Sequence, residues 1–224
     1  MSATAIHERL GSESFRFVLR RATRVEHQSL DDHPAFAALI GGTLGIGGYR
    51  TLMSLFHGFY AAHDSILADA CNEHRLERSG FIYAPRADML AEDMSCLGAK
   101  PPLPVASIPG PHRLAIGSAG SLAGMLYVFE GSMLGGSVLC RAVEALLAAH
   151  GASGARYWRW CRDAGAARWA MTCAMLDEVS ATSRARADMV DGARAAFSGF
   201  SDWFSDWADE ACAEPTLVGG LDRC

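Results

Sequence analysis

Apolar positions recur at helical spacing along most of the chain. Phe15, Val18, Leu19, Ala22 and Val25 predict a first helix from Glu13, with Ser12 as its cap. Asp31 and Asp32 then predict an acidic cap for a short helix, His33–Ile40. Glycines at 41, 42, 45, 47 and 48 break the chain. Tyr49 to about Ala70 follows as a long helix along which Leu52, Leu55, Phe56, Phe59, Tyr60 and Ile66 line up. A polar turn leads to Ala84–Leu97, stopped by Gly98. Prolines 101, 102, 104, 109 and 111 make residues 99–112 an extended connector. A long apolar helix through Gly124–Ala145 ends near His150–Gly151, and Tyr157–Asp163, Ala166–Val179 and Ser183–Glu210 complete the pattern. No alternating run is long enough for a strand, and no internal repeat is present. The pattern predicts an all-α fold: a single multi-helix domain over residues 12–212, with a flexible leader at 1–11 and a frayed tail at 213–224.

The central helix carries more glycine than a helix favours. Each interior Gly is less favourable than Ala by about 1 kcal/mol, yet Gly124, Gly131, Gly135 and Gly136 all lie inside it. At about 100° per residue, Gly124, Gly131 and Gly135 fall within about 40° of one another. Ser132 and Gly136 form an adjoining row of small residues. Such a bare stripe admits close approach of another helix, of a membrane partner or of a flat ligand. Gly131-x-x-x-Gly135 is a common helix-packing motif, so close packing of another helix is the default and a flat macrocycle against bare backbone the sharper reading.

Composition narrows these choices. The 224 residues are half hydrophobic and carry a formal net charge of −5, enough for a substantial core and contrary to a nucleic-acid surface. Seven scattered cysteines, with no Cys-x-x-Cys pair, read as reduced thiols, and the N-terminus has no apolar signal segment; both predict a cytoplasmic protein. Leu114–Cys140 is long enough to span a bilayer. Its one charge, Glu130, would cost about 2.5–3.5 kcal/mol near the membrane centre, so the segment reads as a buried core helix rather than a membrane span.

Familiar catalytic spacings are missing. None of the eight histidines follows a Glu by three residues, and no His-Glu-x-x-His, Cys/His zinc spacing, Gly-x-Ser-x-Gly elbow or phosphate loop occurs. His27 is a candidate axial ligand. Arg20, seven residues earlier, shares its helical line about 10.5 Å away. Together they suit a ligand with a metal centre and an anionic edge. Taken singly, each is an ordinary surface residue. The five tryptophans (158, 160, 169, 203 and 207) read as core and interface packing.

Three segments together resemble the haem oxygenase family over about residues 14–205. LRRATRVEHQSLDDHPAF (19–36) is similar to the family's first helix, RADMLAEDMSCLG (86–98) to its L-x-x-D-L-x-x-L-G helix end, and YVFEGSMLGGSVL (127–139) to its distal helix. The Glu-Gly-Ser start of that last segment resembles the bacterial branch that supplies bile pigment to phytochromes. The resemblance implies a haem-oxygenase-like fold holding haem between a proximal helix, with His27 as iron ligand and Arg20 pairing with a propionate, and a distal helix bearing Gly131, Ser132, Gly135 and Gly136. A weaker match at GARAAF places Phe197 near the haem. The implied activity is O₂- and electron-dependent cleavage of haem to biliverdin, CO and ferrous iron. Electrons would come from an external ferredoxin or reductase, and a bacteriophytochrome is the implied biliverdin acceptor. One position departs from the family pattern: an Asp there follows the first distal glycine and anchors a proton-delivering water network, whereas this chain has Ser132. Glu130 points elsewhere on the helix. That departure motivates the alternative of a non-catalytic haem carrier or sensor. A purely structural helical protein, or a related fold holding thiamine fragments or a non-haem metal, are further alternatives.

Overall fold

The computed structural model describes residues 13–99, 114–205 and 207. Among them are eight α-helices: α1 Phe15–Ala22, α2 Arg24–Asp31, α3 Pro34–Ile40, α4 Ile46–Glu73, α5 Ala87–Cys96, α6 Ala119–Ala149, α7 Arg156–Val179 and α8 Ser183–Ser205. A 3₁₀ turn, Leu76–Ser79, follows α4. The predicted Ser12 cap, the leader, connector residues 100–112, the last helix beyond Trp207 and the tail lie outside the described residues.

The axis of the fold is α6, which runs between α7 and α8. Small residues bring α6 and α8 into backbone contact. A Cβ on Gly124 would fall on the Met189 carbonyl, one on Gly120 would lie 2.7 Å from the Ala185 carbonyl oxygen, and one on Gly192 would fall on the Ser121 carbonyl. By length and composition α6 would suffice to cross a bilayer, but its one mid-helix charge, Glu130, is fully buried against two arginines. Behind this crossing, Phe56 and Phe59 of α4 interlock with Phe200 and Phe204 of α8. Phe59–Phe200 and Phe56–Phe204 centroids lie 4.6 and 4.9 Å apart, and Phe200 stacks on Phe204. The Trp203 ring covers Gly58, and its indole N–H donates to the Leu55 carbonyl at 2.9 Å.

Side chains from distant segments satisfy the free N–H groups at helix starts. Asp93, one of three acids within the 86–98 segment, accepts from the Arg156 and Tyr157 amides at 2.8 Å each and starts α7. Asp64 accepts from the Arg86 and Ala87 amides at 2.6 and 2.8 Å and starts α5. Asp177 accepts from the Phe15 amide at 2.8 Å. Ser118 and Ser121 form a capping box on α6.

Several element limits differ from the sequence expectation. The first helix is broken at Thr23 (φ −116°, ψ 21°), whose buried hydroxyl donates back to the Leu19 carbonyl. Arg20 and His27 therefore sit on two helices rather than one, and Val25 is 72 % exposed. His33, not the Asp31–Asp32 pair, caps α3 through Nδ1, which accepts from the Ala35 amide. Extended Gly45 starts α4 three residues early. Residues 84–86 stay outside the helix, which begins at Ala87, where Asp64 caps α5. The expected helices Tyr157–Asp163 and Ala166–Val179 are one continuous helix, α7, inside which Gly165 rests on Met133.

Candidate functional site

A cavity of about 740 Å³ opens between α1–α2 and the glycine segment of α6, within the usual size of ligand pockets. Its floor is aromatic, from Phe56, Tyr157, Trp158 and Phe200. Arg20, His27, Gly131, Ser132, Gly135, Gly136 and Phe197 all line it. The structure thus gathers every site residue expected from the sequence around one space, although the helix bearing Arg20 and His27 is broken between them.

His27 is fixed on two sides. Its Nδ1–H donates to the Asp31 carboxylate at 3.0 Å, one helical turn on. The Phe197 ring of α8 stands edge-on to the imidazole at 5.8 Å. With Nδ1 engaged, the lone pair resides on Nε2 and is available to a metal. Arg16 and Arg20 of α1 line the same cavity. Among the described residues neither has a carboxylate partner, whereas neighbouring Arg21 is paired with Glu13. Arg16 spends one nitrogen on Cys173 Sγ at 3.6 Å and leaves Nε unbonded. This edge suits an anionic ligand.

The glycines of α6 divide their work. Gly124 serves the crossing with α8 and lies outside the cavity. A Cβ on Gly131 would touch the Trp169 ring at 3.4 Å, and one on Gly136 would press Cys161 at 3.1 Å, so these two admit α7 side chains. A Cβ on Gly135 would meet nothing within 4 Å, so this backbone faces open space. The Ser132 hydroxyl donates to the Phe129 carbonyl at 2.8 Å, keeping its oxygen lone pairs free to accept.

Behind α6, away from the cavity, Glu130 accepts from Arg86 Nη2 at 2.8 Å and from Arg168 Nε and Nη2 at 2.7 and 2.8 Å. Burial pushes the Glu130 carboxyl up, but the two guanidiniums outweigh it and hold it below its ordinary value. The Tyr83 hydroxyl donates to Asp64 at 2.6 Å beside this cluster. Burial raises the Tyr157 hydroxyl well above its ordinary value. Sequence reasoning missed Asp31, Arg16 and this cluster. An i,i+4 spacing from His27 marked Asp31, and the same spacing from Arg20 marked Arg16. No local pattern marked Arg86 or Arg168.

The heme oxygenase family model matches residues 13–206. A heme oxygenase of Xanthomonas campestris pv. campestris (strain 8004) is 32% identical over 164 residues, covering 73% of this chain and 92% of that protein. Among solved structures, heme oxygenase-1 from the cyanobacterium Synechocystis sp. PCC6803, in complex with heme, superposes with a TM-score of 0.71 at 17% identity, over 89% of this chain and 95% of that one. The NO- and CO-bound heme oxygenase from Neisseria meningitidis gives 0.66 at 23%, over 88% and 92%.

Proposed function

The chain belongs to the heme oxygenase family, and on that premise we propose that it cleaves haem to biliverdin, CO and ferrous iron in the cavity between α1–α2 and α6. The observation that carries this reading is the convergence on one cavity of His27, Arg16 and Arg20 of α1 and the open backbone at Gly135. Haem, the substrate, supplies the redox-active iron and the meso carbon that is oxidised. The chain binds and aims it. His27 ligates the iron through Nε2, with its tautomer and rotation held by Asp31 and Phe197. Arg20, with Arg16, takes the propionate edge and so sets which meso carbon faces α6. The open backbone at Gly135 keeps the opposite wall close and flat, Gly131 and Gly136 let Trp169 and Cys161 pack beside it, and the Ser132 oxygen accepts from a proton-carrying water. The aromatic floor limits bulk water, which protects the reacting ring.

The proposal includes a bacterial protein of the phytochrome-associated branch, supported by the Glu130-Gly131-Ser132 start of the glycine segment. It acts in the cytoplasm, consistent with the unpaired thiols of Cys71, Cys96, Cys140, Cys161 and Cys173. A ferredoxin or reductase donates electrons, and a bacteriophytochrome takes the biliverdin.

The second reading is a haem carrier without turnover, favoured by Ser132, whose proton is committed to the Phe129 carbonyl. Aerobic reduction of the hemin complex with ascorbate or a reductase separates the two. Turnover replaces the Soret band with a biliverdin spectrum and releases CO. Persistent haem absorbance with neither product overturns the enzymatic reading.

A further inference from the structure

α1 and α2 meet at one fully buried residue, Thr23. Its amide and its hydroxyl both donate to the Leu19 carbonyl at 2.9 Å. A threonine hydroxyl that bonds the carbonyl four residues back bends a helix, and here the bend falls between Arg20 and His27. From one side it is clasped by α8. The Ala22 carbonyl accepts from Arg194 Nη2 at 3.2 Å, and Arg194 Nε lies 3.6 Å from the Glu26 carboxylate of α2. From the cavity side, Tyr127 of α6 hydrogen-bonds the Thr23 hydroxyl. The Thr23 proton is committed to Leu19, so its oxygen accepts and the Tyr127 hydroxyl donates. Burial raises the Tyr127 hydroxyl above its ordinary value, which keeps that proton in place.

The connection continues along α6. The Tyr127 ring centre lies 5.6 Å from that of Trp169 of α7. Trp169 in turn lies against Gly131, 3.4 Å from where a Cβ would stand. Arg20, His27, Tyr127, Gly131 and Trp169 all line the cavity, with Thr23 behind them. A run of packed side chains thus joins the glycine wall to the bend that separates Arg20 from His27. We propose that Thr23 and Tyr127 are positioning residues: their hydrogen bond ties the bend between α1 and α2 to α6, and so fixes the span from His27 to the glycine wall and the angle of Arg20 to His27. On a straight helix Arg20 and His27 would share one line and could not be turned separately. The bend places them on two elements whose relative angle one hydroxyl sets, so the iron and the anionic edge of one ring are met together. Neither Thr23 nor Tyr127 ligates the iron or moves a proton. The consequence for haem rests on the haem-cleaving reading above, whereas the tie itself belongs to the ligand-free protein.

Thr23→Val removes the hydroxyl at nearly constant shape. The Leu19 carbonyl keeps its bond from the amide of residue 23, so the variant is expected to fold. Tyr127→Phe removes the other end of the tie, and Thr23→Ser retains the hydroxyl. In the hemin-free protein, urea unfolding of Thr23→Val, Tyr127→Phe and the double variant forms a double-mutant cycle. The tie predicts that the double variant loses less stability than the sum of the two singles, and strict additivity overturns it. In the hemin complex, Thr23→Val should shift the iron–histidine stretching band of the ferrous form and change the ratio of biliverdin isomers. Single-turnover pigment formation should slow by about tenfold or more, since a misplacement of about 1 Å can cost about 10²-fold. Thr23→Ser should restore all three. A merely structural Thr23 predicts a lower urea midpoint in Thr23→Val with the band, the isomer ratio and the rate of wild type, and that result overturns the positioning role. A wild type that binds hemin and forms no pigment removes the haem-cleaving reading, while the cycle and the stretching band still decide the tie and the positioning.

Discussion

His27 and Asp31 lie one turn apart on α2, and the Nδ1–H of one donates to the carboxylate of the other at 3.0 Å. That bond selects the tautomer and makes Nε2 the better donor to a metal. Loss of such an outer partner typically weakens metal binding by about 10–100-fold. Asp31→Ala is therefore expected to weaken hemin binding by about that factor, and Asp31→Asn by less, because its amide oxygen still accepts the bond. His27→Ala should abolish the Soret band of a His-ligated haem. Hemin titrations followed by absorbance read all three, and a His27→Ala spectrum identical to wild type would remove His27 as the ligand.

Gly124 and Gly135 look alike in the sequence and have opposite surroundings. Ala at Gly135 meets open space and removes the helix penalty of glycine, so Gly135→Ala should raise stability by about 1 kcal/mol. Gly135→Leu should leave the fold intact and block hemin, since its side chain fills the cavity. Ala at Gly124 strikes the Met189 carbonyl, and overpacking of this kind is unfavourable by about 1–3 kcal/mol. Urea unfolding paired with hemin titration distinguishes them. A stable Gly135→Leu variant that binds hemin normally would show that this face does not meet the ligand.

The contrast explains what the sequence made legible. Helical periodicity marked the helices well, because burial of one face imposes it locally, and the glycine excess of α6 pointed to a close approach. What approached was not legible: Gly124 meets a backbone from α8, Gly136 meets Cys161 of α7, and only their partners separate them. The break at Thr23 depends on a side-chain hydroxyl bonding its own preceding turn, which periodicity does not register. Arg86 and Arg168 reach Glu130 across 44 and 38 residues, so nothing near Glu130 announced that its charge is neutralised in place.

Glu130 gives a pH prediction with a definite sign. Its carboxyl sits below its ordinary value in the folded protein, since Arg86 and Arg168 outweigh the effect of burial. The stabilisation is therefore fully present above the unfolded value of about 4.3 and is lost as pH falls through the folded value. Glu130→Gln leaves two buried guanidiniums without their counter-charge and should destabilise by about 3–5 kcal/mol at neutral pH. The difference between wild type and variant should narrow as pH drops below about 4.3. Urea midpoints measured for both proteins across that range check it, and a gap that stays constant would show that Glu130 is not ionised in the folded state.

Arg16 and Arg20 stand one turn apart on α1 without a carboxylate partner among the described residues, both facing the cavity. If this edge receives the propionates, each arginine contributes a partly solvated ion pair, and removing one should weaken hemin binding only by about two- to fivefold. The larger effect is expected on orientation, because two cations at one edge define the rotation of a nearly symmetric ring. Arg16→Ala/Arg20→Ala should broaden the mixture of biliverdin isomers, resolved by chromatography. It should also flatten the dependence of hemin affinity on ionic strength, because screening acts on the charges that were removed. An unchanged isomer ratio together with an unchanged salt slope would place the anionic edge of the ligand elsewhere in the cavity.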